Sequence, residues 1–215
     1  ISACLVGSEM CIRDRFMASF YICISRLTSS KDIVIGTYYG NRASRLEKDM
    51  LGMFVSTLPI RIEVDPDCDV LSFVTSIGKE QLSVMRHQKY PYNLLMNELR
   101  HQHGDLQNLI VTSIQYQPLQ WQQADGFEYE TAMYFSGRTA NQLSVSIKER
   151  LDTGLIQLNF DYQTAMFTEY DIKRIQSHLL TVLEKALEKP DQPIKNIDMV
   201  AVSYTHLTLP TTPYV

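Results

Sequence analysis

Apolar residues recur with two different periods along the chain, and the longer period predicts helices. Val70, Phe73, Val74 and Ile77 recur at intervals of three and four residues, so we predict an amphipathic helix over 69–86. Pro91 interrupts the pattern, and a second helix is predicted over 92–101, a third from Thr168 to Lys189, and the end of a buried helix over 16–27.

The strand predictions come from short runs of β-branched and aromatic residues. The run 32–38 is typical of a buried strand, and 109–117 is a second buried candidate. A strand over 54–64 contains Pro59, which cannot donate a hydrogen bond and therefore places that strand at an edge or a bulge.

A hairpin closes the strand pattern. Residues 143–148 and 156–162 alternate strictly between apolar and polar side chains, and Asp152-Thr153-Gly154 supplies the turn. A sheet with antiparallel pairs accompanied by several amphipathic helices predicts an α/β protein built as an α+β two-layer sandwich.

The two ends of the chain are not expected to be native protein. Residues 9–14 can be encoded as GAG ATG TGT ATA AGA GAC, and the reverse complement of that DNA translates as residues 202–207. Opposite strands of one DNA element have no physical reason to encode two segments of a protein, and the element resembles the transposon end of sequencing-library adapters. We therefore predict adapter-derived segments at 1–15 and 202–215, and native protein over 16–201.

Composition excludes several function classes. The net charge of −4 offers no basic patch for nucleic acid, and no apolar run is long enough to cross a bilayer. Of the four cysteines, Cys4 and Cys11 lie in the first adapter-derived segment. Cys23 and Cys68 remain, and they are expected to be reduced, buried thiols of a cytoplasmic protein.

The sequence lacks the short motifs that identify a catalytic site without further context. The sequence has no phosphate loop, no Gly-x-Ser-x-Gly and no Cys-x-x-Cys. His101-Gln102-His103-Gly104-Asp105 has the His-x-x-x-Asp spacing of acyl-transfer enzymes, but it lies where a polar helix ends. We interpret it as a solvent-exposed helix end rather than as a catalytic or metal site.

Two polar segments are uninformative when each is taken alone. Residues 87–92 can be a polar helix exit followed by a proline-fixed turn whose two aromatic residues pack inward. Asn41-Arg42 after a strand can be an ordinary turn, although a guanidinium can also hold a buried carboxylate with two parallel hydrogen bonds.

The order of these segments resembles the condensation domains of nonribosomal peptide synthetases. The resemblance runs through Asp32–Thr37, Asn41-Arg42 with Glu47, Gly52–Arg61, His87–Asn93 and Leu109–Gln117, and it continues over Leu155–Phe167 and the final helix. The motif positions singled out are Gly36, Asn41, Gly52, Phe54, Pro59, Arg61, His87, Gln88, Tyr90 and Pro91. Ser56, Lys89 and Pro118 depart from the family, which often has Asn, Asp and Asn there.

The resemblance implies a lobe with the fold of chloramphenicol acetyltransferase and a mixed sheet. Such domains have two lobes with the active site in a tunnel between them, and their His-His-x-x-x-Asp-Gly motif lies in the N-terminal lobe. This chain would be the C-terminal lobe, without a catalytic residue or a metal site of its own. Arg42 would pair with the Asp of that motif, Tyr116 and Gln117 would line the lobe interface, and the loop 118–141 would reach towards the other lobe.

The implied activity is an amide-forming acyl transfer. A donor acyl thioester and an acceptor aminoacyl amine would be presented on phosphopantetheine arms, with no cofactor bound by this chain itself. The implied partners are carrier domains, the N-terminal lobe and a following adenylation domain. Two alternatives remain: a sister domain for epimerisation or heterocyclisation, and a non-catalytic lobe that docks carrier proteins.

Overall fold

The helices and strands follow one another in a mixed order. The computed structural model describes residues 8–42, 44–104, 106–119, 139–150 and 154–199. The elements are α1 (Ser8–Thr28), β1 (Asp32–Tyr39), α2 (Arg45–Asp49), β2 (Ser56–Glu63), α3 (Val70–Arg86), α4 (Tyr92–His103), β3 (Thr112–Leu119), β4 (Leu143–Arg150), β5 (Ile156–Tyr162), α5 (Glu169–Glu188) and a 3₁₀ turn (Ile194–Asn196).

The five strands form one mixed sheet in the order β2-β1-β3-β4-β5. The outer pairs β1–β2 and β4–β5 are antiparallel, whereas β1–β3 and β3–β4 are parallel. This arrangement confirms the predicted α/β class, the hairpin and the edge position of the strand that contains Pro59. Because β1, β3 and β4 run in the same direction, their carboxyl ends meet at one edge of the sheet.

The core lies between one face of the sheet and helices α1, α3 and α5. Alternation along the strands points every second side chain towards the helices, as in the aligned positions Ile114 and Val145. Helix α1 packs against α3, α5 and the sheet, so the side chains of residues 16–23 are all buried. Tyr21 is fully buried there, and its hydroxyl donates to the carbonyl oxygen of Ile60 at 2.8 Å.

Capping side chains begin the two long amphipathic helices where the sequence predicts. The Asp69 side chain accepts from the Ser72 amide at 2.8 Å before α3. Thr168 and Asp171 form a reciprocal capping box before α5. Each cap satisfies an amide that has no partner within the helix, which is why the boundaries match the prediction.

Several boundaries differ from the prediction. Helix α1 begins at Ser8 and α4 extends to His103. Strand β3 begins at Thr112 because Val111 is exposed and Ile110 packs over Gly36. Over 112–118, where the structure describes the side chains of β3, Ser113 and Ile114 are buried and the others are partly buried or exposed, so the predicted buried strand is buried only near its start. The short elements α2 and the 3₁₀ turn were not predicted.

The cysteines, the lengths of the apolar helices and the candidate metal ligands were also considered from the sequence. Cys23 and Cys68 are free; Cys23 is buried, whereas Cys68 is only partly buried, which corrects the expectation for the second thiol. Burial raises the pKa of Cys23 to about 12. Among the described residues, no helix is long and apolar enough to span a bilayer, and no three His, Cys, Asp or Glu side chains cluster as metal ligands.

Candidate functional site

The segment 41–55, called here the motif loop, leaves the carboxyl end of β1 and returns into β2. It starts with Asn41 in a left-handed conformation (φ 50°), which Asn tolerates better than most residues. The Asn41 side-chain amide donates to the Ser56 hydroxyl at 2.9 Å. This bond joins the two ends of the loop and gives Ser56 a polar contact.

Arg42 organises the interior of the motif loop. Its guanidinium donates to the carbonyl oxygens of Glu47, of Met50 at 2.6 Å and of Gly52 at 2.9 Å. The guanidinium carbon also lies 4.2 Å from the centre of the Phe54 ring, within the range of a cation–π contact. Arg42 and two of the predicted motif positions, Gly52 and Phe54, therefore form one physical unit.

Glu47 connects this unit to helix α2 and to a distant turn. One carboxylate oxygen accepts from the Ser44 amide at 2.9 Å, completing a capping box with the Ser44 hydroxyl. The other oxygen accepts from the Lys89 ammonium at 2.7 Å. Lys89 also donates to the Asn41 carbonyl oxygen at 3.1 Å, so it contacts both the first turn of the motif loop and α2.

The motif loop exposes large apolar side chains even though polar contacts hold its backbone. Leu51 is fully exposed and Met53 is 90% exposed, with Leu46, Met50 and Val55 also exposed. Exposed apolar clusters of this kind mark surfaces that another protein segment covers.

Three further motif positions are explained by the packing of β1 against its neighbours. A Cβ added at Gly36 would lie 2.5 Å from Cγ2 of Ile110, so the close approach of that side chain requires glycine. Pro59 lies opposite Gly36 on the edge strand. Arg61 donates to both carboxylate oxygens of Asp32, at 2.8 and 2.6 Å, and this contact lowers the pKa of Asp32.

Residues 87–91 form the turn between α3 and α4. His87 terminates α3 and Pro91 precedes the first turn of α4. The Tyr90 ring is exposed, and its hydroxyl donates to the Glu98 carboxylate, which raises the pKa of Tyr90. Tyr90 thus does not pack inward. Gln88 is partly buried within the same turn.

Tyr116 and Gln117 lie in the carboxyl half of β3. The Tyr116 hydroxyl donates to the Glu149 carboxylate on β4, and Glu149 is buried. Gln117 is exposed and is aligned with Lys148 in the parallel ladder. Because β1 and β3 are parallel, Tyr116 and Gln117 lie near the same edge of the sheet as Arg42. The structure therefore brings the three predicted interface residues to one edge.

A cluster of neutral polar side chains lies on the face of the sheet opposite the core, and its contacts were not predicted from the sequence. Asn141 donates to the hydroxyls of Tyr38 and Ser113, both at 2.9 Å, and Ser113 donates to Ser144 at 2.9 Å. The alternation of serine with apolar residues along β4 was the signal for this face.

The two histidines of the His-x-x-x-Asp match lie in the described part of the chain. His101 and His103 are exposed in the last turn of α4, as the interpretation of a solvated helix end requires. Asp105 lies outside the described residues, as do Trp121 and most of the predicted interface loop 118–141.

Comparison with protein families gives one match. A family model described as "Condensation domain" matches residues 8–206. One plipastatin synthase protein of Bacillus subtilis (strain 168) is 71% identical over 184 residues, which are 86% of this chain and 7% of that protein. Surfactin synthase subunit 1 of the same organism is 40% identical over 176 residues, 82% of this chain and 5% of that protein.

Solved structures show the same fold. The starter condensation domain of rhizomide synthetase, in a complex with C8-CoA and Leu-SNAC, superposes with a TM-score of 0.75 at 20% identity, over 91% of this chain and 44% of that one. The X-domain in complex with OxyB from teicoplanin biosynthesis gives 0.74 at 18% identity, over 92% and 44%. The chain thus spans less than half of these domains and a small fraction of the synthetases.

Proposed function

Because this chain belongs to the condensation-domain family, we propose that it is part of a domain that joins two carrier-bound substrates through an amide bond. The acceptor amine nitrogen forms a bond to the donor carbonyl carbon, the C–S bond of the donor thioester breaks, and the departing thiolate takes up the proton that the amine loses. The observation that carries this proposal is the 71% identity to the plipastatin synthase protein.

We assign the chain to the C-terminal lobe of that domain. The N-terminal lobe, with the His-His-x-x-x-Asp-Gly motif, would precede it in the complete protein. Two facts support this assignment: the chain covers 44–46% of the solved condensation-domain chains, and it holds the later motifs in order without that histidine sequence.

We also propose that residues 1–15 and 202–215 derive from adapter DNA. The 184 residues aligned with the plipastatin synthase protein are nearly as many as lie between 16 and 201. The family model extends further at both ends, to 8 and 206. Sequencing the genomic locus across both junctions tests this directly, since native codons continuing the family pattern would replace the adapter-derived ones.

The edge of the sheet that carries Arg42, Tyr116 and Gln117 is the proposed contribution of this chain to the reaction tunnel. In sheets with parallel strands, ligands bind outside the carboxyl ends of those strands. The motif loop would form one wall there, and Tyr116 would be held in place by Glu149. The chemistry required of such a wall is positioning of two thioesters rather than proton transfer.

The substrates would arrive on phosphopantetheine arms of carrier domains, and this chain would bind no cofactor of its own. We further expect the N-terminal lobe and an adenylation domain as partners within one cytoplasmic synthetase. The relatives of 71% and 40% identity belong to a plipastatin synthase and a surfactin synthase, which supports this context.

A second candidate is a lobe that recruits another protein without catalysing condensation. The superposition on the X-domain, which was crystallised in complex with OxyB, is the observation that favours it. At 18% identity this likeness concerns the fold alone, whereas the synthetase relatives share sequence as well as fold.

The decisive experiment uses a chimeric domain in which residues 16–201 replace the matching region of the plipastatin synthase protein. With donor and acceptor carrier domains loaded, mass spectrometry should detect the amide product. Alanine at the second histidine of the upstream motif should abolish it, and the present chain alone should give no product.

Two results would refute the proposal. One is a folded chimera that yields no amide while the unmodified plipastatin domain turns over under the same conditions. The other is turnover by the present chain alone that His101→Ala or His103→Ala abolishes, since this would restore the rejected histidine cluster.

A further inference from the structure

Lys89 is the one ammonium group that joins the motif loop to the turn between α3 and α4, within the part of the chain that the structure describes. It lies 2.7 Å from a Glu47 carboxylate oxygen and 3.1 Å from the Asn41 carbonyl oxygen. Lys89 is far from both partners in sequence, since it is separated from Glu47 by 42 residues. The contacts therefore fix tertiary placement rather than local conformation.

Glu47 links the Lys89 contacts to helix α2 and to Arg42. Its second carboxylate oxygen caps α2 through the Ser44 amide, and its own carbonyl oxygen accepts from Arg42. A movement of Lys89 is thereby transmitted both to the helix that carries Leu46 and to the guanidinium that holds Gly52. Both partners are acceptors, so only a donor at position 89 can make the two contacts.

We propose that Lys89 is a positioning residue for condensation, because it clamps the motif loop against the α3–α4 turn. This inference rests on the proposed function. The clamp holds the loop at the edge of the sheet where Arg42 and Tyr116 lie. Lys89 does not touch the reacting atoms; it acts through Glu47 and the backbone of Asn41.

The first measurement is limited trypsin digestion of the chimeric domain, followed by mass spectrometry of the cut after Lys48. Lys89→Gln removes the charge, and we expect the cut to form about two- to fivefold faster, the range that an exposed ion pair supports. Lys89→Arg should restore the slow rate. Lys173→Gln is the matched control, because it breaks another exposed ion pair of 2.7 Å, with Glu169 on α5.

The second measurement is steady-state condensation at a temperature where every variant is folded. Lys89→Gln should lower kcat by about two- to fivefold and leave KM for the carrier substrates unchanged, because the proposed clamp acts on the placement of groups that are already bound. Glu47→Gln keeps an acceptor for the α2 cap but loses the charge. The double variant should therefore be no worse than either single variant.

The outcomes separate the possible explanations. Cleavage and kcat equal to those of Lys173→Gln would overturn the clamp. Faster cleavage with unchanged kcat would overturn the positioning role. Additive effects of Lys89→Gln and Glu47→Gln would show that Lys89 does not act through Glu47. If the parent chimera gave no amide product, the proposed function would be refuted. The trypsin digestion would still test whether Lys89 holds the motif loop against the α3–α4 turn.

Discussion

Replacement of Arg42 by alanine is the perturbation for which the structure makes the most specific prediction. The guanidinium holds three carbonyl oxygens and lies over the Phe54 ring. Two of those carbonyls belong to Met50 and Gly52, which are exposed, so water replaces the lost donors there. Each of these two bonds is worth about 0.5 kcal/mol, and the third, to the partly buried Glu47, about 1 kcal/mol.

The ring contact adds about 0.5–1 kcal/mol, so Arg42→Ala should lower the free energy of unfolding by about 2.5–3 kcal/mol. Arg42→Lys should lose most of this amount, because a single ammonium cannot reach three carbonyls and stack on the ring at once. If Arg42 in addition formed the predicted buried ion pair with an aspartate of the other lobe, the loss would rise by about 3–5 kcal/mol.

The assay is denaturant unfolding of the complete chimeric domain, accompanied by hydrogen exchange of the amides in the motif loop. Exchange is needed because the loop can open without global unfolding, which would limit the change in the unfolding free energy. Arg45→Ala, on the exposed helix α2, is the matched control. If Arg42→Ala matched Arg45→Ala within about 0.5 kcal/mol and left exchange in the loop unchanged, the reasoning from these contacts would be refuted.

Two other predictions follow from buried positions. Gly36→Ala should destabilise the domain by about 1–3 kcal/mol, because the added Cβ clashes with Ile110. Adding Ile110→Ala should relieve the clash, and Gly40→Ala should have no effect because a Cβ there meets open space. Equal melting temperatures of the Gly36→Ala and Gly40→Ala variants would contradict this. Alkylation at pH 8 should modify Cys68 far faster than Cys23. The pKa of Cys23 in the folded protein, about 12, lies above the ordinary value of 9.0. The contribution of the Cys23 thiol to stability is therefore complete below pH 9.0 and is lost as pH rises towards 12. Equal labelling rates of Cys23 and Cys68 in peptide mass maps would contradict the burial of Cys23.

The elements predicted correctly are those whose signals are local. Helices α3 and α5 carry both an apolar stripe and a capping residue, Asp69 or Thr168, and the structure begins each helix at that cap. The β4–β5 hairpin follows from strict alternation. Helix α2 was missed because five residues are too few for periodicity, although Ser44 and Glu47 have the capping-box spacing.

The contacts of the candidate site depend on tertiary placement and could not be predicted. Order along the chain identified Arg42, Gly52 and Phe54 as motif residues, but their joint packing requires the path of the loop backbone. The pairing of Lys89 with Glu47 spans 42 positions and has no local signal. The start of β3 was placed too early because Ile110 is as apolar as a strand residue, yet it precedes the strand and packs over Gly36.

The structure also divides the motif positions by what the fold itself requires of them. Gly36, Asn41 and Phe54 all have a packing or hydrogen-bonding reason that holds in any lobe of this shape. His87 and Gln88 differ, because the contacts that place them are backbone hydrogen bonds to Val84 and Met85 in the last turn of α3. The backbone amide of His87 ends α3 and Gln88 is partly buried, so these two positions shape the turn that Lys89 ties to the motif loop.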